Sequence, residues 1–281
     1  MRKLRARKLE FTKVQGAGND FILVNCLSQD PLEGEDLGKL AVRLCDRNFG
    51  IGGDGLVLIL PSASADFRMR IMNPDGSEAE MCGNATRCVA KYLFDRDLAG
   101  NTIRLETLAG VRTIEVTGDG YTVRMGMPAL DAADIPVSGY RGRVISQPLE
   151  VEGRTFNITC VSMGNPHCVI FVDSVEEIAL EKLGPAVETH PAFPKKTNVE
   201  FAKVLSRNEV RVRVWERGVG ITLACGTGAC ATLVAGVLNG LMDRKAAVHL
   251  PGGDLLIEWL DSGEVLMTGP AKEVFTGEIE V

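Results

Sequence analysis

The chain has 281 residues, of which 45% are hydrophobic and 24% are charged, and its formal net charge is −6. This length and apolar content predict one large domain or two medium ones with real cores. The acidic balance disfavours nucleic acids and anionic membranes as partners, and no apolar run approaches the roughly 18 residues of a membrane-spanning helix.

The first eight residues are basic, but Glu10 and Lys13 interrupt the apolar stretch that a signal peptide would need. We therefore predict a solvated tail and a reducing, cytoplasmic location. The eight cysteines include no Cys-x-x-Cys pair, which disfavours a zinc site, and a chain of this length needs no disulfide scaffold. Six of them are expected to be buried thiols: Cys26, Cys45, Cys88, Cys160, Cys168 and Cys230.

In the first half, a turn at residues 16–20 precedes a predicted strand at 21–24, and apolar spacing predicts a helix at 36–47. Residues 50–55, GIGGDG, match the dinucleotide-binding fingerprint literally, but a helix precedes them and a strand follows. Pyrophosphate binding needs the reverse order, so we interpret this stretch as a tight turn. Further strands are predicted at 56–60, 67–72, 101–107, 111–116 and 121–125.

The same alternation returns after Pro128, which interrupts the pattern. A helix is predicted at 175–187. Strands are predicted at 149–151, 155–161, 167–172, 199–205, 210–215, 246–250, 255–259 and 265–268. Short strands at hairpin spacing around one apolar helix in each half predict an α+β protein with mainly antiparallel sheet. We place the domain boundary after residue 126, which gives halves at 1–126 and 127–270.

One short stretch occurs twice and opens the apolar helix of each half, as MCGNATRC at 81–88 and ACGTGAC at 224–230. Each copy places a cysteine, Cys82 or Cys225, where a helix begins. Unsatisfied backbone N–H groups and the helix dipole stabilise negative charge there. The thiol pKa can therefore fall, and an anionic substrate group can bind the same N–H groups.

The two halves are related by duplication. The two cysteines lie 143 positions apart, and Asn73 and Glu216 keep that offset. Further upstream, residues 16–24 resemble residues 163–172. Several matches in the same order predict two similar domains that face each other across one site.

Together the two cysteine motifs resemble the diaminopimelate epimerase family, amino-acid racemases that work without pyridoxal phosphate. The resemblance covers essentially the whole chain, through residues 16–20, 164–167, 197–200, 215–218 and 267–271. It implies two barrel-like domains related by a pseudo-twofold axis, each wrapped on its central helix. It also implies that the last strand, at 271–281, returns to the first domain.

The resemblance further implies a reaction, the epimerisation of LL-2,6-diaminopimelate to the meso form in lysine and peptidoglycan precursor synthesis. It implies a small-molecule substrate, no cofactor, no metal and a homodimer. Inverting an α-carbon needs a base on one face and an acid on the other. We expect one cysteine thiolate to remove the α-proton and the opposite thiol to return one.

The remaining site residues follow from the helix starts and from the resemblance. The amides of Gly83, Asn84, Gly226 and Thr227 would hold the α-carboxylate as charge develops. By resemblance, the other substrate-binding positions are Asn19, Asn73, Asn165, Asn198, Glu216 and Arg217. By the same resemblance, His167 and Glu216 would tune thiol ionisation.

Three features depart from the commonest family pattern: Gly55, where some members carry a Gln; the pair Ala85-Thr86 after the first motif; and Phe275, where some members carry a Tyr at the dimer contact. Alternatives stay open. One is another two-cysteine racemase, acting on proline, hydroxyproline or histidine. Another is a cysteine hydrolase using one cysteine with His167, and a third is a non-catalytic binding protein of this fold.

Overall fold

A computed structural model describes residues 7–28, 31–118 and 120–281. Within these residues the helices are α1 (Leu37–Cys45), α2 (Gly83–Asp95), α3 (Leu180–Glu188) and α4 (Gly226–Leu238). The first strands are β1 (Lys8–Gly16), β2 (Asn19–Asn25), β3 (Gly55–Leu60), β4 (Phe67–Met72), β5 (Glu78–Ala79), β6 (Thr102–Thr107), β7 (Gly110–Thr117) and β8 (Gly120–Gly126). The later strands are β9 (Gln147–Val151), β10 (Arg154–Ser162), β11 (Pro166–Phe171), β12 (Asn198–Ser206), β13 (Glu209–Glu216), β14 (Gly220–Thr222), β15 (Lys245–Leu250), β16 (Gly253–Trp259), β17 (Val265–Gly269) and β18 (Lys272–Glu280).

Backbone contacts divide the chain into two compact units. The N-terminal unit comprises Met1–Val123 and Pro270–Val281, and the C-terminal unit comprises Arg124–Gly269. The domain limits inferred from sequence, at residues 126 and 270, stay a prediction.

The sheet of the N-terminal unit runs in the order β18-β1-β2-β3-β4-β6-β7-β8, and β5 adds a short pairing to β4. Two of its pairs are parallel, β2 with β3 and β4 with β6. The other pairs are antiparallel. The parallel pairs need crossover connections, which contain α1 and α2 respectively.

The C-terminal unit repeats this arrangement in the order β9-β10-β11-β12-β13-β15-β16-β17, with β14 on β13. Its parallel pairs are β11 with β12 and β13 with β15, at the same places in the order. Their crossovers contain α3 and α4. The duplication inferred from sequence is therefore present in the fold, and the predicted α+β class with mainly antiparallel sheet is confirmed.

Each sheet curves around one central helix. In the C-terminal unit, α4 contacts β10, β11 and β12 from one part of the strand order and β15, β16 and β17 from the other. Its residues 228–236 are all buried, as expected for a helix that is apolar on every side. In the N-terminal unit, α2 contacts β18, β1 and β2 as well as β7. The six cysteines predicted to be core thiols are buried.

A second layer covers the outer face of each sheet. Leu40 and Leu44 of α1 pack with Leu56 and Leu58 of β3 in one core cluster. The helix α3 packs in the same way in the C-terminal unit, where its residue Leu183 belongs to a separate cluster. Among the residues that the structure describes, no helix has both the length and the apolar character to cross a bilayer.

The glycine-rich stretch 50–55 forms the predicted tight turn. Its first N–H groups fold back on the end of α1: Gly50 N donates to Asp46 O, and Gly52 N donates to Leu44 O. A Cβ on Gly50 would lie 2.3 Å from Arg43 O, so only glycine permits this approach. The turn thus satisfies the last carbonyls of a helix, and its amides are not available to a pyrophosphate.

The helix predicted at 175–187 is wrong in its first turn, because α3 begins at Leu180. The carbonyls of Val175 and Ile178 instead accept hydrogen bonds from Nη1 of Arg213, at 3.0 and 3.1 Å. In a helix they would accept from backbone N–H groups four residues later. A tertiary contact has replaced the first helical turn.

Cys88 gives the fold a pH dependence that can be measured. Burial raises the pKa of its thiol to about 12, against about 8.5 in an unfolded chain, so only the folded chain keeps this proton at moderately alkaline pH. Above about pH 8.5, the stability advantage of the wild type over Cys88→Ala should shrink by about 1.4 kcal/mol per pH unit. Urea denaturation of both proteins under reductant, from pH 7 to pH 10, checks this. A constant difference over that range would contradict it.

Candidate active site

Each of the two cysteines forms the N-cap of a central helix, Cys82 on α2 and Cys225 on α4. Both have extended backbone dihedrals, with φ of −141° and −116°, and the predicted helix starts are confirmed. The first N–H groups of a helix have no partner within it. One of them, Gly228 N, donates to Cys225 Sγ at 3.4 Å.

A chain of hydrogen bonds fixes the side-chain amides beside Cys82. Arg87, fully buried, donates from Nη2 to Asn84 Oδ1 at 2.7 Å. This turns Asn84 Nδ2 toward Asn19 Oδ1, at 3.2 Å, and Asn19 Nδ2 toward Asp54 Oδ2, at 2.6 Å. Because arginine only donates and an ionised aspartate only accepts, both amide orientations are determined. Asn19 Oδ1 therefore faces the half-buried Cys82 Sγ as an acceptor, at 3.7 Å.

Asp54, which orients Asn19, was not selected from the sequence. It belongs to the turn 50–55 and is held by Arg47, whose Nη2 donates to Asp54 Oδ1 at 2.8 Å and to Asp20 Oδ1 at 2.6 Å. The sequence feature that could have identified Asp54 is its position, as an acid inside a glycine-rich turn directly before a buried strand. The stretch that resembles a nucleotide fingerprint therefore serves the candidate site by presenting this carboxylate.

A second hydrogen-bonded chain lies beside Cys225. Asn165 Nδ2 donates to Thr227 Oγ1 at 3.3 Å, and Asn165 Oδ1 faces His167 Nε2 at 3.1 Å. His167 Nδ1 lies 2.7 Å from Glu200 Oε1, and both of these side chains are fully buried. At the other end, Thr227 Oγ1 lies 3.5 Å from Cys225 Sγ. The chain thus leads from a buried carboxylate to the sulfur.

Glu200 is the second residue that sequence reasoning missed. The sequence feature that could have identified Glu200 is that it is the single acid within residues 198–202 of β12, all of which are buried. Glu216, which was selected, interacts with Cys225, His167 and Glu200, and its Oε1 accepts from Thr222 Oγ1 at 2.5 Å. Burial raises the pKa of the Glu216 carboxyl.

The pKa expected for a helix-start thiol is wrong for Cys225. Burial, followed by the negative charges of Glu216 and Glu200, raises the pKa of Cys225 well above its ordinary value. Hydrogen bonds from Thr227 and from Gly228 N act in the opposite direction but are weaker. The local argument counted only the helix-start donors, and desolvation outweighs them. Cys225 is therefore a protonated thiol, a potential proton donor.

Asn198 holds the turn that carries Arg217. The Asn198 Nδ2 group donates to Pro166 O at 2.8 Å, and Asn198 Oδ1 accepts from Arg217 N at 2.9 Å. Glu188 Oε1 accepts from Gly218 N at 3.0 Å and fixes the same turn. The Arg217 side chain stays exposed, and its Nη1 donates to Lys195 O at 3.3 Å.

Asn73 occupies the place in the N-terminal unit that Glu216 occupies in the other. Each lies at the end of a long strand, before a turn into a short one. The half-buried Asn73 donates from Nδ2 to Ser77 Oγ at 2.9 Å across that turn. The remaining predicted residues, Gly83 and Gly226, are the first residues of α2 and α4.

Gly228 should be required for the fit between α4 and Glu200. A Cβ at residue 228 would lie 2.6 Å from Glu200 Oε1, so Gly228→Ala should lower the unfolding free energy by about 1–3 kcal/mol. That loss is opposite in sign to the usual gain of about 1 kcal/mol for alanine in a helix.

Urea denaturation measures this loss. The matched control is Ala85→Gly, at the same position of α2, which should cost only the helix propensity of about 1 kcal/mol. In a Glu200→Ala background the loss from Gly228→Ala should shrink, and only the looser contacts with Cys225 Cβ and Sγ, at 3.3 Å, should remain. An equal loss in both backgrounds would show that the carboxylate is not what Gly228 accommodates.

Comparison with known proteins identifies the chain's relatives. Residues 11–130 and 159–274 match the family model described as diaminopimelate epimerase. The diaminopimelate epimerase of Pelotomaculum thermopropionicum is 57% identical over 276 residues, which cover 96% of this chain and 98% of that protein. That of Acetivibrio thermocellus is 54% identical, with coverage of 97% and 99%.

Solved structures share the fold at low sequence identity. A phenazine biosynthesis protein of the PhzF family from Bacillus anthracis has a TM-score of 0.70 and 18% identity, over 98% of this chain and 99% of its own. A hydroxyproline epimerase from Agrobacterium vitis has a TM-score of 0.69 and 15% identity, over 100% and 94%. These two likenesses concern the fold alone, whereas the family model and the relatives that are more than half identical concern the lineage: the chain belongs to the diaminopimelate epimerase family.

Proposed function

We propose that this chain epimerises LL-2,6-diaminopimelate to meso-diaminopimelate, for lysine and peptidoglycan precursor synthesis. The observation that carries the proposal is the pair Cys82 and Cys225, each at the start of the central helix of a duplicated unit. Relatives that are 51–57% identical over nearly their whole length are named diaminopimelate epimerase.

The reaction needs two proton transfers, and two thiols supply both. A thiolate takes the α-proton from one face of the substrate carbon, and a thiol gives its own proton to the other face. Because Cys225 is held as a thiol, we propose that it starts as the acid and that the half-buried Cys82 starts as the base. After one turnover the two sulfurs have exchanged protonation states, which suits the reverse reaction.

The carbanion that forms needs stabilisation, because an α-carbon holds its proton far more tightly than a thiol does. We assign this role to the helix-start amides of Gly83 and Asn84 in α2 and of Gly226 and Thr227 in α4. Preorganised N–H donors stabilise charge that develops on a carboxylate without having to reorient. The helix dipoles act in the same direction.

The distal end of the substrate would be bound by the polar side chains near the β-turns. The exposed Arg217 guanidinium can bind a carboxylate with two parallel hydrogen bonds, and Asn198 holds its backbone. Glu216 is suited to a substrate ammonium, and Asn73 to a further polar contact. Asn19 and Asn165, whose amides are oriented by their neighbours, complete the set.

The alternative functions, another two-cysteine racemase and a hydrolase with one catalytic cysteine, have weaker support. The hydroxyproline epimerase from Agrobacterium vitis shares only 15% identity with this chain. A hydrolase would use one cysteine and leave the other without a role. Epimerisation of diaminopimelate gives a role to both thiols, to the two oriented asparagines and to Arg217.

Three further properties belong to the proposal. The enzyme should need no cofactor or metal, since the thiols perform both proton transfers. It should act as a homodimer, for which the exposed Val274 and Phe275 of β18 offer an apolar surface. A cytoplasmic location would suit its eight free thiols.

Both cysteines should be required for inversion. Purified wild-type protein, assayed on LL-2,6-diaminopimelate without added cofactor or metal, should form the meso isomer by chiral chromatography. Cys82→Ala and Cys225→Ala should each reduce turnover by at least about a thousandfold, because each removes one of two obligatory proton transfers. Circular dichroism should show that both variants stay folded. Substantial turnover by either variant would exclude the two-base mechanism.

Solvent deuterium should enter the substrate at one α-carbon only. The reacting centre exchanges its proton with a thiol that equilibrates with D2O, while the distal end is bound away from both sulfurs. Mass spectrometry at low conversion should therefore find the product with one deuterium at most. An early doubly labelled product would mean that the distal end is not held as proposed.

A further inference from the structure

The buried pair His167 and Glu200 lies where the other unit is apolar. The parallel registers of the two units supply the equivalence: Phe21, Gly55 and Val57 in the N-terminal unit correspond to His167, Asn198 and Glu200 in the C-terminal unit. Phe21 and Val57 are also buried. The two helix-start cysteines thus share one scaffold but have different neighbours.

The C-terminal unit is built to accommodate this carboxylate. Glu200 Oε2 is buried without a hydrogen-bond partner, one of few such atoms among the described residues. The first turn of α4 passes close enough that Gly228 is needed opposite Oε1. In α2, the corresponding position is Ala85. Burying Glu200 leaves one of its oxygens without a hydrogen bond and restricts position 228 of α4 to a glycine. Such a residue needs a role other than packing to explain it.

The hydrogen bonds that start at Glu200 have one consistent direction. Asn165 Nδ2 faces the Thr227 hydroxyl, so Asn165 Oδ1 faces His167 and the His167 Nε2 carries a hydrogen. At its other nitrogen the ring is held by Glu200, whose Oε1 lies 2.7 Å from His167 Nδ1. The Thr227 oxygen accepts from Asn165, which leaves its own hydrogen free to point toward Cys225 Sγ, 3.5 Å away.

We propose that Glu200 is a positioning residue that makes the two cysteines chemically unequal, by fixing His167 and the hydrogen bond to Cys225 and by opposing negative charge on that sulfur. Val57 can do neither for Cys82. The consequence for catalysis, that Cys225 starts as the acid, rests on the proposed function. The effect on the thiol itself does not.

The charged groups around Cys225 agree with this assignment. Burial is the first cause of its raised pKa, and the carboxylates of Glu216 on β13 and Glu200 on β12 follow. His167 on β11 lies against Glu200, and Thr227 on α4 supplies a neutral donor that acts in the opposite direction. Removing the Glu200 charge should therefore make the Cys225 thiolate easier to form.

The test measures Cys225 directly and needs no substrate. The variant Glu200→Gln keeps the shape of the side chain and removes its charge. Iodoacetamide alkylation of each cysteine is followed against pH by peptide mass spectrometry. The alkylation midpoint of Cys225 should fall by about one pH unit, which is about tenfold faster labelling at a fixed pH below it. The midpoint of Cys82 should not move.

Two controls distinguish an effect of the Glu200 charge from a general loosening of α4. Glu209→Gln removes an exposed carboxylate from the same unit and should leave every midpoint unchanged. Cys230, fully buried in the same helix as Cys225, should stay unlabelled in Glu200→Gln. An unchanged Cys225 midpoint overturns the proposal. Labelling of Cys230 together with Cys225 overturns it too, because Glu200 would then hold the helix rather than the thiol.

The kinetic readout ties the effect to catalysis. In Glu200→Gln, the alkaline limb of kcat should move to lower pH by the same amount as the Cys225 midpoint, with KM unchanged, because an acid catalyst must be protonated. A wild-type chain that fails to convert LL-2,6-diaminopimelate would reject the proposed function and leave the alkylation result valid. A converting wild type whose Glu200→Gln variant shows neither shift would reject the role of Glu200 alone.

Discussion

The rest of the structure depends on α2 and α4, two helices that are each enclosed by the sheet of their own unit. A buried helix start must satisfy its first N–H groups, and proteins usually place Ser, Thr, Asp or Asn there, at a gain of about 1 kcal/mol. Here the caps are Cys82 and Cys225. Sulfur is a weak acceptor, so each cap stabilises its helix less than an oxygen cap would and instead places a thiol at the helix start.

The same scaffold surrounds the two sulfurs with different chemistry. Beside Cys82, two arginines and Asp54 orient a pair of amides, and every hydrogen bond has a fixed direction. Beside Cys225, an imidazole and a carboxylate replace apolar side chains, and the thiol keeps its proton. Duplication supplied two helix-start cysteines on one scaffold. Later substitution gave them different neighbours.

Much of this was accessible from the sequence, because the signals were local. The helix starts at the two cysteines, the short strands and the buried thiols follow from spacing and composition. The contributions of Asp54 and Glu200 were not accessible, since each acts through partners brought together by folding. A contact formed only on folding also explains why α3 begins later than predicted: Arg213 donates hydrogen bonds to two backbone carbonyls that a longer helix would have used. The Cys225 pKa was misjudged because helix-start donors are visible in sequence and desolvation is not.

The contact between α4 and β12 also constrains how such a chain can change over time. A Cβ at position 228 would lie 2.6 Å from Glu200 Oε1, whereas the other unit pairs an alanine, Ala85, with the smaller and uncharged Val57. A glutamate arriving opposite an alanine would meet a helix with no room for it. The glycine therefore had to be present before the acid or to arrive with it. Among relatives, the two positions should therefore covary.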